Sequence, residues 1–178
     1  MLWAACTAVF FGLLRASEFT APSNSSASPS TLLFHHVSVI RDLPRVRLYL
    51  PMSKTDQFAS GACVYLFPQA QPVCPFTAVA AFSGVHPSGT GPFFSFASGK
   101  FLTRRDIATL LSSAFPDQPN LNSHSFRIGG ASALAAAGVP DYQVRVLGRW
   151  SSDSFLRYIR LQPTTLRESQ ARMRSRDA

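Results

Sequence analysis

The sequence predicts a mainly α chain carrying one small three-stranded antiparallel β-sheet, an α+β fold. Three observations lead there. β-Branched and aromatic residues concentrate in three short segments between residues 31 and 68. From Cys74 onward, apolar residues recur at helical spacing. Those helical stretches are punctuated by capping residues or proline before them and by glycine after them. With 178 residues, 46% of them hydrophobic, the chain can bury a substantial core and is too apolar for disorder.

The opening "MLWAACTAVFFGLL" predicts a core helix from about Leu2 to Glu18, closing before Pro22. Fourteen mostly apolar residues before Arg15 are too few to cross a bilayer, and the cationic start of a secretory signal is missing. A domain seldom opens on its most buried helix, so further residues are expected upstream. "APSNSSASPS" is a polar, proline-punctuated loop. "TLLFHHVSVIRD", "RVRLYLPMS" and "GACVYLFP" are the three strands, with His35 and His36 alternating on the first. In "RVRLYL", Val46, Leu48 and Leu50 face one side while Arg45, Arg47 and Tyr49 face the other. The turn-rich "SKTDQFASG", which carries Lys54, links the second and third strands.

Pro75 and Gly84 bound the next helix. In "FLTRRDIATLLSSAF", Thr103 and Asp106 form a capping box ahead of Ile107, Leu110 and Leu111. "SHSFRIGGASALAAAG" has a Ser123 cap, a Gly138 stop and a run of small residues that lets another backbone or a bulky ligand come close. Pro140 and Gly148 enclose a further helix, and a last short helix carries Tyr158.

Net charge is +8, and arginine supplies nearly all of it, since Lys54 and Lys100 are the only lysines. Arginine's planar fork suits phosphate oxygens, so a basic chain of this kind favours a polyanion, most often nucleic acid, although charge also serves solubility. Cys6, Cys63 and Cys74 are odd in number and lack metal-ligand spacing, which fits a reducing compartment rather than a disulfide framework or a zinc site. There is no Gly-rich phosphate loop, and only two of the nine carboxylates are glutamates, so neither ATP chemistry nor an acidic metal cluster is expected.

Four places carry candidate chemistry. In "HSFR", His124 and Arg127 are three apart in a helix's first turn and share a face where backbone N–H groups add positive potential; that suits one phosphate, or ordinary capping. In "GLLRASEFT", Arg15 and Glu18 are also three apart among apolar residues, where a buried arginine needs an acid or an anion. Lys54 sits at the tip of a β-connection, with reach over a groove or simply into solvent. In "LGRWSSDSFLRYIR", Tyr158 lies between Arg157 and Arg160, either packing or poised to attack an anion.

Taken in order, these elements resemble the catalytic domain of the tyrosine recombinase (phage integrase) family over roughly Met1 to Leu161. The wording of "GRWSSDSFLRYIR" looks most like the recombinases of DIRS-type retrotransposons and related eukaryotic mobile elements. The resemblance implies the DNA breaking-rejoining fold, with Arg15 and Arg127 as the catalytic arginines and Glu18 supporting Arg15. It also implies Lys54 as the β-hairpin lysine, His124 as the proton-handling residue and Tyr158 as the nucleophile. The family's His/Trp position, nine residues before the tyrosine, is occupied here by Arg149, with Trp150 one step later; the indole is the favoured occupant because it both packs and donates. Residues 1–162 would then be the catalytic domain and 163–178 a basic tail, with an N-terminal helix or helices and a core-binding domain expected upstream.

The implied activity is cleavage and rejoining of double-stranded DNA through a 3′-phosphotyrosyl intermediate, without cofactor, metal or nucleotide. The implied assembly is a homotetramer on DNA, away from membranes, in the nucleus of a eukaryote or otherwise in the cytoplasm, and not secreted. Alternatives are a catalytically inactive DNA-binding relic, type IB topoisomerase-like relaxation and a helical protein-interaction domain. Tyr49, Tyr65 and Tyr142 are rival nucleophiles, the last beside Asp141, whose charge repels a phosphate.

Overall fold

Strict alternation over residues 45–50 is what the sheet is built around. The computed structural model describes residues 1–52, 61–70, 72–86, 89–160, 163, 167, 170 and 171. In it β1 (Val37–Ile40), β2 (Arg45–Leu50) and β3 (Ala62–Leu66) form an antiparallel sheet in the order β1-β2-β3. Val39 pairs with Val46, and Leu48 lies between Val37 and Val64. Val46, Leu48 and Leu50 are buried, whereas Arg47 and Tyr49 are exposed on the outer face. Lys54 and most of the tail at 163–178 lie outside the described residues.

The helices are α1 (Leu2–Gly12), α2 (Ala16–Phe19), α3 (Pro75–Gly84), α4 (Arg104–Ala114), α5 (Ser125–Ala136) and α6 (Asp141–Leu147). Two 3-10 segments, Phe34–His36 and Asp153–Tyr158, complete the order of elements named among the described residues. α1 packs on β3 and α3. Its inner face is made of small residues, Ala4, Ala5, Ala8 and Gly12. A Cβ on Gly12 would stand 3.0 Å from Val64 Cγ1, so this glycine lets helix and strand approach closely. Around that contact, Val9, Leu14, Leu66, Val79, Phe93, Phe94, Leu102 and Ile107 form one core. Each such fully buried side chain contributes about 1.5–3 kcal/mol.

Two helix starts match the sequence expectation. Pro75 is the first residue of α3, with the Cys74 sulfur accepting the Thr77 N–H at 3.4 Å. At α4, the Asp106 carboxylate accepts the Thr103 N–H at 2.8 Å, and the Thr103 hydroxyl accepts the Asp106 N–H at 3.3 Å.

Three expectations are corrected. The single helix expected over Leu2–Glu18 is two: the chain breaks at Leu13, which takes a left-handed conformation at φ 48°, and Arg15 is extended. His35 and His36 lie in the 3-10 segment rather than on a strand, because His36 Nδ1 accepts the Leu33 N–H at 3.2 Å and turns the chain before β1 starts. α5 begins at Ser125, later than a Ser123 cap implies. The turn before it is held by two side chains: Asn122 Oδ1 accepts the His124 N–H at 2.9 Å, and the Ser125 hydroxyl accepts the Asn122 N–H at 3.1 Å.

Residues Met1–Arg127 and Ile128–Ala178 form two compact units, the division falling within α5. The first holds the sheet, α1 to α4 and the core just described. The second has its own small core of Ala131, Val144 and Phe155, with Trp150 and Tyr158 packed against it. Among the described residues, no helix is long and apolar enough to cross a membrane.

Candidate functional site

In the first unit the site is built on the break after α1. The left-handed turn at Leu13 returns its own N–H to the Val9 carbonyl and costs roughly 1 kcal/mol in backbone strain. It also swings the following residues off the helix axis. Arg15 becomes the N-cap of α2, and Glu18, fully buried at 0% exposure, reaches back to it. The Glu18 carboxylate accepts the Arg15 backbone N–H at 2.7 Å and the Arg15 Nη1 at 3.0 Å. One acid thus fixes both the backbone and the guanidinium of Arg15, whose side chain keeps 17% of its surface in solvent.

Arg127 is buried at 2% exposure, and its Nη1 donates to the Leu13 carbonyl, two residues before Arg15. A cation so enclosed requires directed partners, since removing it from water is otherwise expensive. The fold therefore brings the residue that closes "HSFR" to the end of α1. His124, one residue ahead of α5, keeps an exposed edge, yet loss of hydration and then the charge of Arg127 hold its pKa below the ordinary imidazole value. At neutral pH it is the uncharged base, able to accept a proton.

A groove of about 540 Å³ opens beside α2, lined by Ser17, Thr20, Ser23, Asn24, Arg104 and Arg105 among others. Its walls are tied together. The Ala21 N–H donates to the Leu102 carbonyl at 2.8 Å, the Phe101 N–H to the Asn24 carbonyl at 2.9 Å, and Asn24 Nδ2 to the Phe101 carbonyl at 3.1 Å. Sequence reasoning found the α4 cap but not this groove. The signal was available in "TRRD", where two arginines follow a capping threonine at a helix start.

In the second unit, Tyr158 ends the 3-10 segment and is half-buried. Its ring lies 5.1 Å from that of Trp150, which in turn lies 6.1 Å from Phe155. The three residues "GRW" each have a role in placing the indole. Arg149 adopts a left-handed φ of 57°, turning the chain so that Trp150 faces the small core. Gly148 is required because any Cβ there would fall 1.6 Å from the Trp150 ring. Ser132, from the run of small residues, donates its hydroxyl to the Tyr158 carbonyl at 3.1 Å and accepts the Arg160 N–H at 2.8 Å. The expected close backbone approach to that run therefore occurs, and Ser132 is a positioning residue that sequence reasoning did not name.

The predicted residues thus fall into two groups: Arg15, Glu18, His124 and Arg127 in one unit, and Arg149, Trp150 and Tyr158 in the other. Lys54 lies outside the described residues.

No protein-family model matches the sequence, and no curated protein does. Solved structures do. A site-specific recombinase, XerH, bound to palindromic difH substrate in a post-cleavage complex matches with a TM-score of 0.61 at 12% identity, over 97% of this chain and 45% of that one. The pre-cleavage XerH complex with difH gives 0.58 at 13% identity, over 95% and 45%. The Tn1549 transposon integrase in complex with a circular intermediate DNA gives 0.54 at 13% identity, over 96% and 57%. The chain spans about half the length of the solved chains it matches. At these identities the likeness concerns the backbone, and in backbone architecture this is the fold of a tyrosine recombinase catalytic domain.

Proposed function

We propose that the chain is the catalytic part of a DNA-cleaving and -rejoining tyrosine recombinase, of the kind encoded by DIRS-type and related eukaryotic mobile elements. Residues 1–162 are its catalytic domain and 163–178 a basic tail. The observation that carries the reading is the convergence at the end of α1: Glu18 clamps Arg15, and Arg127, from a segment more than a hundred residues away, bonds the Leu13 carbonyl beside it. Two guanidinium groups held in this way suit the non-bridging oxygens of one phosphodiester.

In the proposed reaction, the Tyr158 oxygen attacks the phosphorus and the bond to the 5′-oxygen breaks, leaving a 3′-phosphotyrosine and a free 5′-hydroxyl. A phenol has a pKa near 10 and needs a base at neutral pH; His124, kept uncharged by its surroundings, takes that proton. Arg15 and Arg127 stabilise the charge that grows on the phosphoryl oxygens, a contribution worth on the order of 10²–10³ in rate for one donor. Lys54 protonates the departing 5′-oxygen. Trp150, rather than Arg149, fills the family's aromatic position, supported by its contact with the Tyr158 ring. Because the bond energy is retained in the phosphotyrosine, a second hydroxyl reverses the step without nucleotide or metal. The hydroxyl- and arginine-lined groove beside α2 suits the backbone of double-stranded DNA flanking the reacting phosphate. Assembly as a tetramer on DNA and work in a nucleus follow from the same reading.

The test is covalent trapping. The chain is incubated with a pool of nicked duplexes of random sequence, denatured, and the adducts mapped by mass spectrometry. DNA carried on Tyr158, and no adduct from Tyr158→Phe, is the expected result. Adducts that persist in Tyr158→Phe, or that map to Tyr49, Tyr65 or Tyr142, overturn the assignment. Salt-dependent DNA binding with no adduct at all identifies an inactive relic instead.

A further inference from the structure

The outward face of the sheet takes no part in the core or in the proposed reaction, and its composition is unusual. Arg47 pairs directly with Tyr65 across β2 and β3, and Tyr49 pairs with Cys63. Arg45, one alternation earlier, pairs with Ile40. Tyr49, Tyr65 and Phe67 are 38%, 47% and 54% exposed, too open for core side chains. The Tyr65 and Phe67 rings lie 6.4 Å apart with planes tilted by only 31°. No carboxylate lies on this face of the three strands, so its charge is wholly positive.

The aromatic groups are also held in place. Tyr49 lies over Gly61, where a Cβ would stand 2.7 Å from its hydroxyl, and His36 meets the ring edge-on at 5.7 Å between centroids. Arg47 is steered by the Ser38 hydroxyl across the strand at 3.4 Å. Flat rings presented on a sheet, with guanidinium groups beside them on the β1 side, suit unpaired bases: each base offers a face to stack on, and each phosphate a charge to neutralise. A duplex offers no such faces, because its bases are already stacked on one another.

We infer that the outer face of β2 and β3 is a stacking platform for single-stranded nucleic acid, with Tyr49, Tyr65 and Phe67 taking bases and Arg45 and Arg47 taking the backbone. This function is separate from strand cleavage and uses none of the residues assigned to it.

The test measures affinity of the full chain for a fluorescent single-stranded DNA oligonucleotide of mixed sequence, with the same sequence as duplex for comparison. Tyr65→Ala is expected to weaken single-strand binding roughly ten- to a hundredfold and to leave duplex binding unchanged, whereas Tyr65→Phe, which keeps the ring, binds as the unaltered chain does. Phe67→Ala, outside β3, shows the same selectivity without touching the strand. Arg47→Ala lowers the slope of log affinity against log salt by about 0.7. Single-strand affinity unchanged in both Tyr65→Ala and Phe67→Ala overturns the proposal, as does equal loss in Tyr65→Phe or equal loss for duplex. Absence of oligonucleotide binding, together with self-association abolished by Tyr65→Ala, assigns the face to contact between copies of the chain and also overturns it. Because the cleavage reading stands on adducts at Tyr158, either proposal can fail while the other holds.

Discussion

The two groups of candidate side chains are fixed by different physics. In the first unit Glu18 and Arg127 are charged and enclosed, with almost no exposed surface, and each is placed by bonds to particular atoms. In the second, Trp150 and Tyr158 are aromatic and half-open. Tyr158 leans on Trp150, Trp150 lies over Gly148, and Ser132 holds the backbone rather than directing a charge. Directed bonds in a dry setting define position sharply but tolerate no loss of a partner. Ring packing is disturbed by added volume. The first group should therefore be sensitive to removing a charge, and the second to adding a methyl.

The largest effect should come from Glu18→Ala. It strips two hydrogen bonds from Arg15 at once, and we expect a loss on the order of 3 kcal/mol in urea denaturation, with Glu18→Gln milder because its carbonyl still accepts. A loss near zero would mean that Arg15 finds another anchor and that the contrast between the units is false. Next in size is Gly148→Ala. The added carbon collides with the indole and should cost about 1–3 kcal/mol, with near-ultraviolet dichroism reporting the displaced Trp150. An unchanged spectrum would show that the aromatic pair is not held by shape.

The smallest effect concerns His124. Its folded pKa lies below the ordinary value of about 6.5, so on acidification the unfolded chain takes up the proton first. The stability linked to this residue is complete above that ordinary value and is lost as pH falls through the folded one. An NMR titration of His124 should give a midpoint below that of a histidine model peptide. A midpoint at or above the peptide's would remove Arg127 and burial as influences on this ring.

Much of the fold could be read from the sequence because local pattern and tertiary demand agree there. The alternation in "RVRLYL" and the Thr103–Asp106 box need no distant partner to be recognised. The break at Leu13 was not legible, since "GLLRASEF" consists largely of residues content in a helix; what holds the turn includes Arg127, 114 positions away. The start of α5 was misplaced for a narrower reason: Asn122, Ser123 and Ser125 are all competent caps, and only geometry separates them. At the candidate site, the pairing of Arg15 with Glu18 was visible from spacing. The part played by Ser132 was not, because one hydroxyl within an alanine-rich run carries no distinguishing mark.

The left-handed turn at Leu13 has an implication for anyone seeking to toughen this protein. In an unbroken helix, the Leu13 carbonyl would face the amide four residues on and would be occupied; the interruption is what frees it for Arg127. Substitutions that extend α1 through this point, a standard recipe for raising thermal tolerance, would take away that guanidinium's acceptor. Here a more regular helix would make a poorer site.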